Sequence, residues 1–244
     1  LEVSYGKNFE GEPTGKENPE MLKMHPSHGH NQSVHNGISR IGYQKGGKSA
    51  LWVDEDLADN FTEDAVKWIT ENQNGPFFLF FTLHQPHVPR TPNARFVGTS
   101  GLGPRGDVIK EADWSVGQLL NTLKDLGIEE ETLVVFSSDN GPVLDDGYHD
   151  DAVIKIGDHD VNGVLRGGKY SLLDAGTRVP FFVSWPGTIE PGVSDALVSQ
   201  VDLTASIADL LGITITSGAD DSEIITDALL GKSQTGRSEL FMGA

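Results

Sequence analysis

The run Thr132-Leu133-Val134-Val135-Phe136, followed at once by Ser137-Ser138-Asp139-Asn140-Gly141, limits the possible folds more than any other stretch of the chain. Leu133–Phe136 is four apolar residues, mostly β-branched or aromatic. That is the pattern of a strand buried on both faces of a parallel sheet. A carboxylate, an amide and a glycine stand directly beyond it, and open α/β sheets bind ligands outside the carboxyl ends of their strands. Adjacent Asp139 and Asn140 offer hard oxygen donors of the kind that hold Ca²⁺ or Mg²⁺. The same residues also make an ordinary turn, since all three types favour one.

The rest of the chain supplies the elements such a strand needs. Leu57, Phe61, Ala65 and Trp68/Ile69 recur at helical spacing from Asp56 onward, and Asn72 to Gly75-Pro76 ends the pattern. Phe77–Leu83 reads as a buried strand. Ile109, Ala112, Val116, Leu119/Leu120 and Leu123 predict a second helix, closed by Gly127. Strand, helix, strand in this order demands a crossover and hence a parallel sheet. Val179–Trp185 predicts a further strand with Pro180 tolerated at its start. Asp202 reads as the N-cap of a helix through Leu203, Ile207 and Leu210/Leu211, with Gly212 beyond it. The fold class is therefore α/β with a mostly parallel sheet. Residues 1–50 predict a loop-rich insertion over the active-site face, 51–215 the α/β core, and 216–244 the start of a smaller C-terminal subdomain.

Composition removes several functions. A net charge of −18 argues against nucleic-acid binding, which needs clustered Lys and Arg. The absence of cysteine excludes disulfides, thiolate metal sites and a cysteine nucleophile. No apolar run approaches the roughly 20 residues that span a bilayer. The chain begins at Leu1 with neither an initiator Met nor a signal segment and ends in the apolar stretch Ser238–Ala244, which predicts an internal piece of a longer protein.

Polar residues with chemical potential gather at strand ends. His84-Gln85-Pro86-His87-Val88-Pro89 presents two imidazoles on a loop stiffened by two prolines. Arg166-Gly167-Gly168-Lys169 is a basic loop in which small residues allow close backbone approach while Lys169 gives a point charge for an oxyanion. His28-Gly29-His30 and Lys45-Gly46-Gly47-Lys48 are further candidates for substrate contact. Each has a plainer reading: His84 as a core histidine, His28 and His30 as solvated loop residues, and Lys169 as a surface charge. Taken together, a carboxylate for a divalent ion, an imidazole and a lysine suit the polarisation of an ester of a tetrahedral oxyanion.

In these motifs and their order the chain resembles the type I sulfatases, the arylsulfatase branch of the alkaline phosphatase superfamily. The matching text is Pro76-Phe77-Phe78-Leu79-Phe80 with His87-Val88-Pro89, Ser138-Asp139-Asn140-Gly141-Pro142, Leu165-Arg166-Gly167-Gly168-Lys169, Ala175-Gly176-Thr177-Arg178-Val179-Pro180, Trp185-Pro186-Gly187 and Val201-Asp202-Leu203. Asn36–Tyr43 with Gly46-Gly47-Lys48 resembles bacterial polysaccharide-active members. The resemblance implies a three-layer α/β/α domain, here represented by its middle and C-terminal part. It implies that Asp139 and Asn140 are two ligands of a Ca²⁺ ion (Mg²⁺ second) holding the sulfate. His87 would contact the sulfate or the bridging oxygen and protonate the leaving alcohol. Lys169 would bind a sulfate oxygen, with His28 and His30 contributing to the substrate site. Asp139, Asn140, His87 and Lys169 are expected to converge on one pocket.

It also implies a secreted or periplasmic sulfuric ester hydrolase acting on a sulfated polysaccharide, glycosaminoglycan or aryl sulfate, with no nucleic-acid partner and no membrane span. Two departures accompany the resemblance. Asp174 stands where many members have Glu. The Cys/Ser-x-Pro-x-Arg motif that yields the family's formylglycine nucleophile is absent, the one Ser-x-Pro being Ser184-Trp185-Pro186 followed by Gly187-Thr188. The expected parent therefore carries formylglycine outside these residues, and this chain alone is expected to be inactive. Rival readings are a phosphodiesterase or phosphonate monoester hydrolase of the same superfamily and a non-catalytic carbohydrate-binding relative.

Overall fold

The computed structural model describes residues 4–5, 14–45 and 50–242, so part of the Lys45–Lys48 motif lies outside the described residues. The chain divides into two units, one of residues 1–126 with 143–161 and the other of residues 127–142 with 162–244. The Asp- and Gly-rich excursion after Asn140 is thus shared: its first part belongs to the first unit and its remainder to the second.

In the first unit, short strand pairs shape the N-terminal segment. β1 (Ser4–Tyr5) pairs antiparallel with β4 (Gln44–Lys45), and β2 (Val34–His35) with β3 (Ile38–Ser39). Ile38 is fully buried among Val88, Tyr148 and Met24. Two long helices follow, α1 (Leu57–Asn72) and α2 (Gly103–Asp125), packed against each other. Their buried faces differ from the expected ones. α1 buries Ala58, Thr62, Ala65 and Ile69, a stripe turned by one residue from the predicted Leu57–Phe61 side, and Phe61 stays 41% exposed. Small side chains at 58, 62 and 65 let the neighbouring backbone come close, which a phenylalanine facing inward would prevent.

α2 buries Val108 and Leu123 but also Asp107, Glu111 and Ser115, leaving Ile109 and Leu120 outside. Its buried carboxylates are satisfied. Asp107 accepts from the amides of Gly98 and Ser100 and the Ser100 hydroxyl, while Glu111 accepts from the Asn93 amide at 3.1 Å and the Gln85 side chain at 3.2 Å. Such partners offset the cost of burying charge. The short α3 (Ala152–Lys155) completes this unit.

Phe77–Leu83 is not a strand in the structure. Its burial alternates along the run, with Phe78 and Phe80 at 71% and 79% exposure, which is the period of extended chain. No ladder joins it to any other described residue. A strand is defined by its partners, so apolar composition alone predicted the wrong state here.

The second unit is built on β5 (Val134–Ser137) and β6 (Phe181–Ser184), paired antiparallel with Phe136 opposite Phe182. The α/β class stands, but the pairing among the described residues is antiparallel where a parallel partner was expected. Between β5 and β6 the chain carries only helices of four residues. Beneath β6 lies an apolar cluster of Phe181, Val183, Ala196, Val198 and Leu203 with Ile225, Ala228 and Leu229. The last three sit at or in α6 (Thr226–Leu229), and Leu203 in α5 (Asp202–Leu210).

Asp202 is fully buried and is the first residue of α5, not its cap. Its carboxylate accepts from the Ser199 and Glu223 amides and from Arg237 Nε at 2.8 Å. Burial pushes that carboxyl upward, and the Arg237 and amide donors more than reverse it, holding it below the usual range. Among the described residues no helix is long and apolar enough to cross a membrane.

Candidate active site

In the second unit, β5 ends at Ser137 and delivers Asp139 and Asn140 onto a pinned turn. Gln200 donates to the Ser138 carbonyl at 2.5 Å, and the Ser138 hydroxyl reaches the Asn140 carbonyl at 3.1 Å. Asp139 Oδ1 accepts the Asn140 amide at 2.9 Å, and the Asn140 side-chain nitrogen donates to the Gly141 carbonyl at 2.9 Å. That geometry aims the amide nitrogen at the backbone and leaves the amide oxygen as the outward donor atom.

Two backbone bonds then clip this turn to the lysine loop: Gly141 N–H to the Gly176 carbonyl at 2.9 Å, and Lys169 N–H to the Pro142 carbonyl at 2.9 Å. Glycines make the approach possible. A Cβ at Gly141 would lie 1.6 Å from the Ala175 carbonyl oxygen, and one at Gly168, whose φ is +157°, would lie 2.6 Å from that of Pro142. The predicted pair and the predicted lysine are therefore held on adjoining backbone. Lys169 itself is half-buried, with Nζ 5.2 Å from the centre of the Tyr170 ring. The loop closes through α4 (Asp174–Thr177), where the Ala175 amide donates to the Arg166 carbonyl at 2.9 Å.

In the first unit, the three remaining predicted residues gather around a segment the sequence left unassigned. His25 and Ser27 pair by backbone with His149 and Gly147, and the Ser27 hydroxyl donates to Asp145 at 2.7 Å. This zipper sets His28 Nδ1 3.8 Å from Asp145 and the His30 ring 4.6 Å from that of Tyr148, tilted by 46°. His87 donates from Nδ1 to the Val88 carbonyl at 2.8 Å, so Nε2 is the nitrogen presented to Asp146, 3.6 Å away. Burial lowers the proton affinity of His30, with Asp146 acting the other way. Burial pushes the Tyr148 hydroxyl up to about 12, and that hydroxyl donates to the Ser39 carbonyl at 2.5 Å.

Asp145 and Asp146 are the residues sequence reasoning missed. They stood in an acidic, glycine-rich excursion with no local pattern, and the one available signal was the density of histidines elsewhere in need of a counter-charge. Among the described residues no group of three or more His, Asp or Glu side chains is placed to hold a metal ion.

His84, expected as a core histidine, is half-buried. Its Nε2 is buried with no hydrogen-bond partner among the described residues. Burial lowers its proton affinity, Asp54 opposes this, and His87 and Arg40 add to the lowering. A group whose folded value lies below its ordinary value of about 6.5 contributes stability that is complete above that value and is lost as pH falls. Hydrogen exchange of the 84–90 backbone, corrected for intrinsic rates, is therefore expected to report easier opening as pH drops from about 7.5 to 5.5. The His84→Gln variant is expected to lose that His84-dependent slope; an unchanged slope in the variant would refute the assignment.

With this geometry in place, comparison with known proteins settles the class. The Sulfatase family model matches residues 5–213, and the chain belongs to the sulfatase family. It is 48% identical over 238 residues to an N-acetylgalactosamine-6-O-sulfatase of Bacteroides thetaiotaomicron, covering 97% of this chain and 47% of that protein. Human arylsulfatase A is 36% identical over 171 residues, with 70% of this chain and 32% of that protein covered.

Among solved structures, one from Bacteroides thetaiotaomicron, described with the metabolism of multiple glycosaminoglycans, superposes with a TM-score of 0.93 at 49% identity, covering 96% of this chain and 49% of that one. The PsFucS1 sulfatase from Pseudoalteromonas gives 0.67 at 25% identity, over 81% of this chain and 39% of that one. The chain thus spans about half the length of these relatives, or less.

Proposed function

We propose that the protein containing this chain hydrolyses sulfate esters of a sulfated sugar, of the sort found in glycosaminoglycans, and works outside the cytoplasm. The observation that carries the reading is the double backbone clip joining the Asp139-Asn140 turn to the Lys169 loop. It holds the backbone of two oxygen-donor residues and of a lysine on one frame, from which a carboxylate, an amide oxygen and an ammonium would meet the tetrahedral sulfate group. The sugar sulfate preference is supported by the relative that acts on N-acetylgalactosamine 6-sulfate groups by name.

The donor set suits calcium in kind. A carboxylate and an outward amide oxygen are hard ligands, and Ca²⁺ takes six to eight of these. Two fall well short of a full shell, so this chain alone is expected to bind Ca²⁺ weakly. When bound, the ion would draw electron density from the sulfate oxygens. Lys169 would offset charge on another of those oxygens through its ammonium. His87 would deliver a proton from Nε2 to the departing alcohol, with Nδ1–H anchored on Val88 so that the ring keeps one tautomer. Asp146 would face that nitrogen from 3.6 Å. The nucleophile, formylglycine in the family, is not supplied by these residues, which contain no Cys and no Ser-x-Pro-x-Arg.

The test is turnover of a 6-sulfated N-acetylgalactosamine and of an aryl sulfate by the full-length protein with added Ca²⁺, beside the 244-residue chain. Hydrolysis by the former alone is expected. A full-length protein that cleaves phosphate diesters and leaves sulfate esters untouched would replace this reading with the phosphodiesterase one.

A further inference from the structure

We propose that Arg90 is a positioning residue for His87, fastening the loop that carries Asp146 against the loop that carries the imidazole. The proposal deepens the reading of His87 as the proton donor and rests on it for its functional meaning. Its geometry lies wholly inside the first unit.

Arg90 is 3% exposed, rare for an arginine, and its guanidinium is almost fully committed. Nε donates to the Pro86 carbonyl at 3.3 Å, one residue before His87. Nη1 donates to the Leu144 carbonyl and to Asp150 Oδ2, each at 2.8 Å, and Nη2 to the Val143 carbonyl at 2.9 Å. Asp145 and Asp146 lie between Leu144 and Asp150, so both ends of the acidic segment are tied to one side chain whose own backbone is three residues from His87. Asp150 is itself fixed, its other oxygen accepting the Ala152 amide at 3.0 Å at the start of α3.

The opposite flank of the histidine loop is held separately, through Gln85 to the buried Glu111. Without Arg90 the imidazole would keep that anchor and its bond to Val88, and the middle of the acidic segment would keep its bonds to His25, Ser27 and Ser39, but Leu144 and Asp150 at its two ends would lose their direct tie to the loop that carries His87. A lysine cannot replace the fork, because one ammonium carries three donors on a single atom and cannot reach two carbonyls, a carboxylate and the Pro86 oxygen on separate sides.

The test uses the full-length protein and needs no turnover. Diethyl pyrocarbonate acylates accessible neutral imidazoles, and peptide mass spectrometry at fixed pH gives a rate for each histidine. Asp146→Ala sets the rate for a His87 with no carboxylate opposite it. In Arg90→Lys, His87 is expected to react several-fold faster than in the unaltered protein, reaching the Asp146→Ala rate. The exposed His159 should be unchanged, and the buried His35, 3% exposed, should stay unreactive.

An unaltered His87 rate in either variant overturns the proposal. So does reaction at His35 alongside His87, which would make Arg90 a general support of the fold. A protein that hydrolyses no sulfate ester leaves these rates readable, so the two readings can fail separately.

Discussion

Replacing Lys169 by alanine in the full-length protein is expected to lower turnover of the sulfate ester by a factor of about 10² to 10³, with the melting temperature nearly unchanged. The magnitude is that of removing one preorganised group that stabilises charge developing on an oxyanion. The expected lack of a stability effect comes from which part of Lys169 supports the fold. Its amide, bonded to the Pro142 carbonyl, survives the substitution. Its ammonium lies over the ring of Tyr170, itself 83% exposed, and a contact of that kind at an exposed site contributes about 0.5–1 kcal/mol. Kinetics and a thermal melt on the same preparation decide the matter. Equal loss of rate and of stability would make the lysine structural and leave the anion without its protein-borne cation.

The sequence showed the local motifs of this chain better than the long-range pairing around them. Each chemical motif was legible because strand-end position, glycine and charge coincide in a few consecutive residues: Asp139-Asn140-Gly141 after β5, and Gly167-Gly168-Lys169 in a loop. Helix existence was equally legible, since the three-and-four spacing of α1, α2 and α5 does not depend on neighbours. Which face each helix buries was not. α2 hides Glu111 and Asp107 because partners far along the chain, Gln85 and Asn93 for one and Gly98 and Ser100 for the other, happen to satisfy them.

Asp202 failed as an N-cap for the same reason: its partner, Arg237, lies 35 residues away. Strand pairing was the least readable feature. Phe77–Leu83 carries the composition of a central strand and the alternating burial of one, yet no described residue pairs with it. Asp145 and Asp146 were invisible because an acidic loop has no period, and only the fold brings the histidines to it.

Gly141→Ala is expected to damage the same frame from the opposite direction, leaving every charged group in place and moving the backbone that carries them. The added methyl would sit 1.6 Å from the Ala175 carbonyl oxygen and 3.0 Å from the Gly176 Cα. Both belong to backbone, so no side-chain rotation relieves the overlap. The Asp139–Pro142 strap must withdraw by more than an ångström, which breaks the Gly141-to-Gly176 bond and loosens the Pro142-to-Lys169 one.

A misplacement of about 1 Å costs on the order of 10² in rate where reacting groups must be aligned, and forced overpacking costs about 1–3 kcal/mol. In a unit of about 100 residues that amounts to a fall of several degrees or more in melting temperature, at roughly 4–8 °C per kcal/mol. The variant is therefore expected to lose both rate and stability, where Lys169→Ala loses rate alone. The discriminating measurement is Ca²⁺ titration of activity in the two variants. With the oxygen donors displaced, Gly141→Ala should need more Ca²⁺ for half-maximal rate, whereas Lys169→Ala should keep the original requirement. An unchanged Ca²⁺ requirement in Gly141→Ala would mean that the turn holds no ion, and that Asp139 and Asn140 serve only to end the strand.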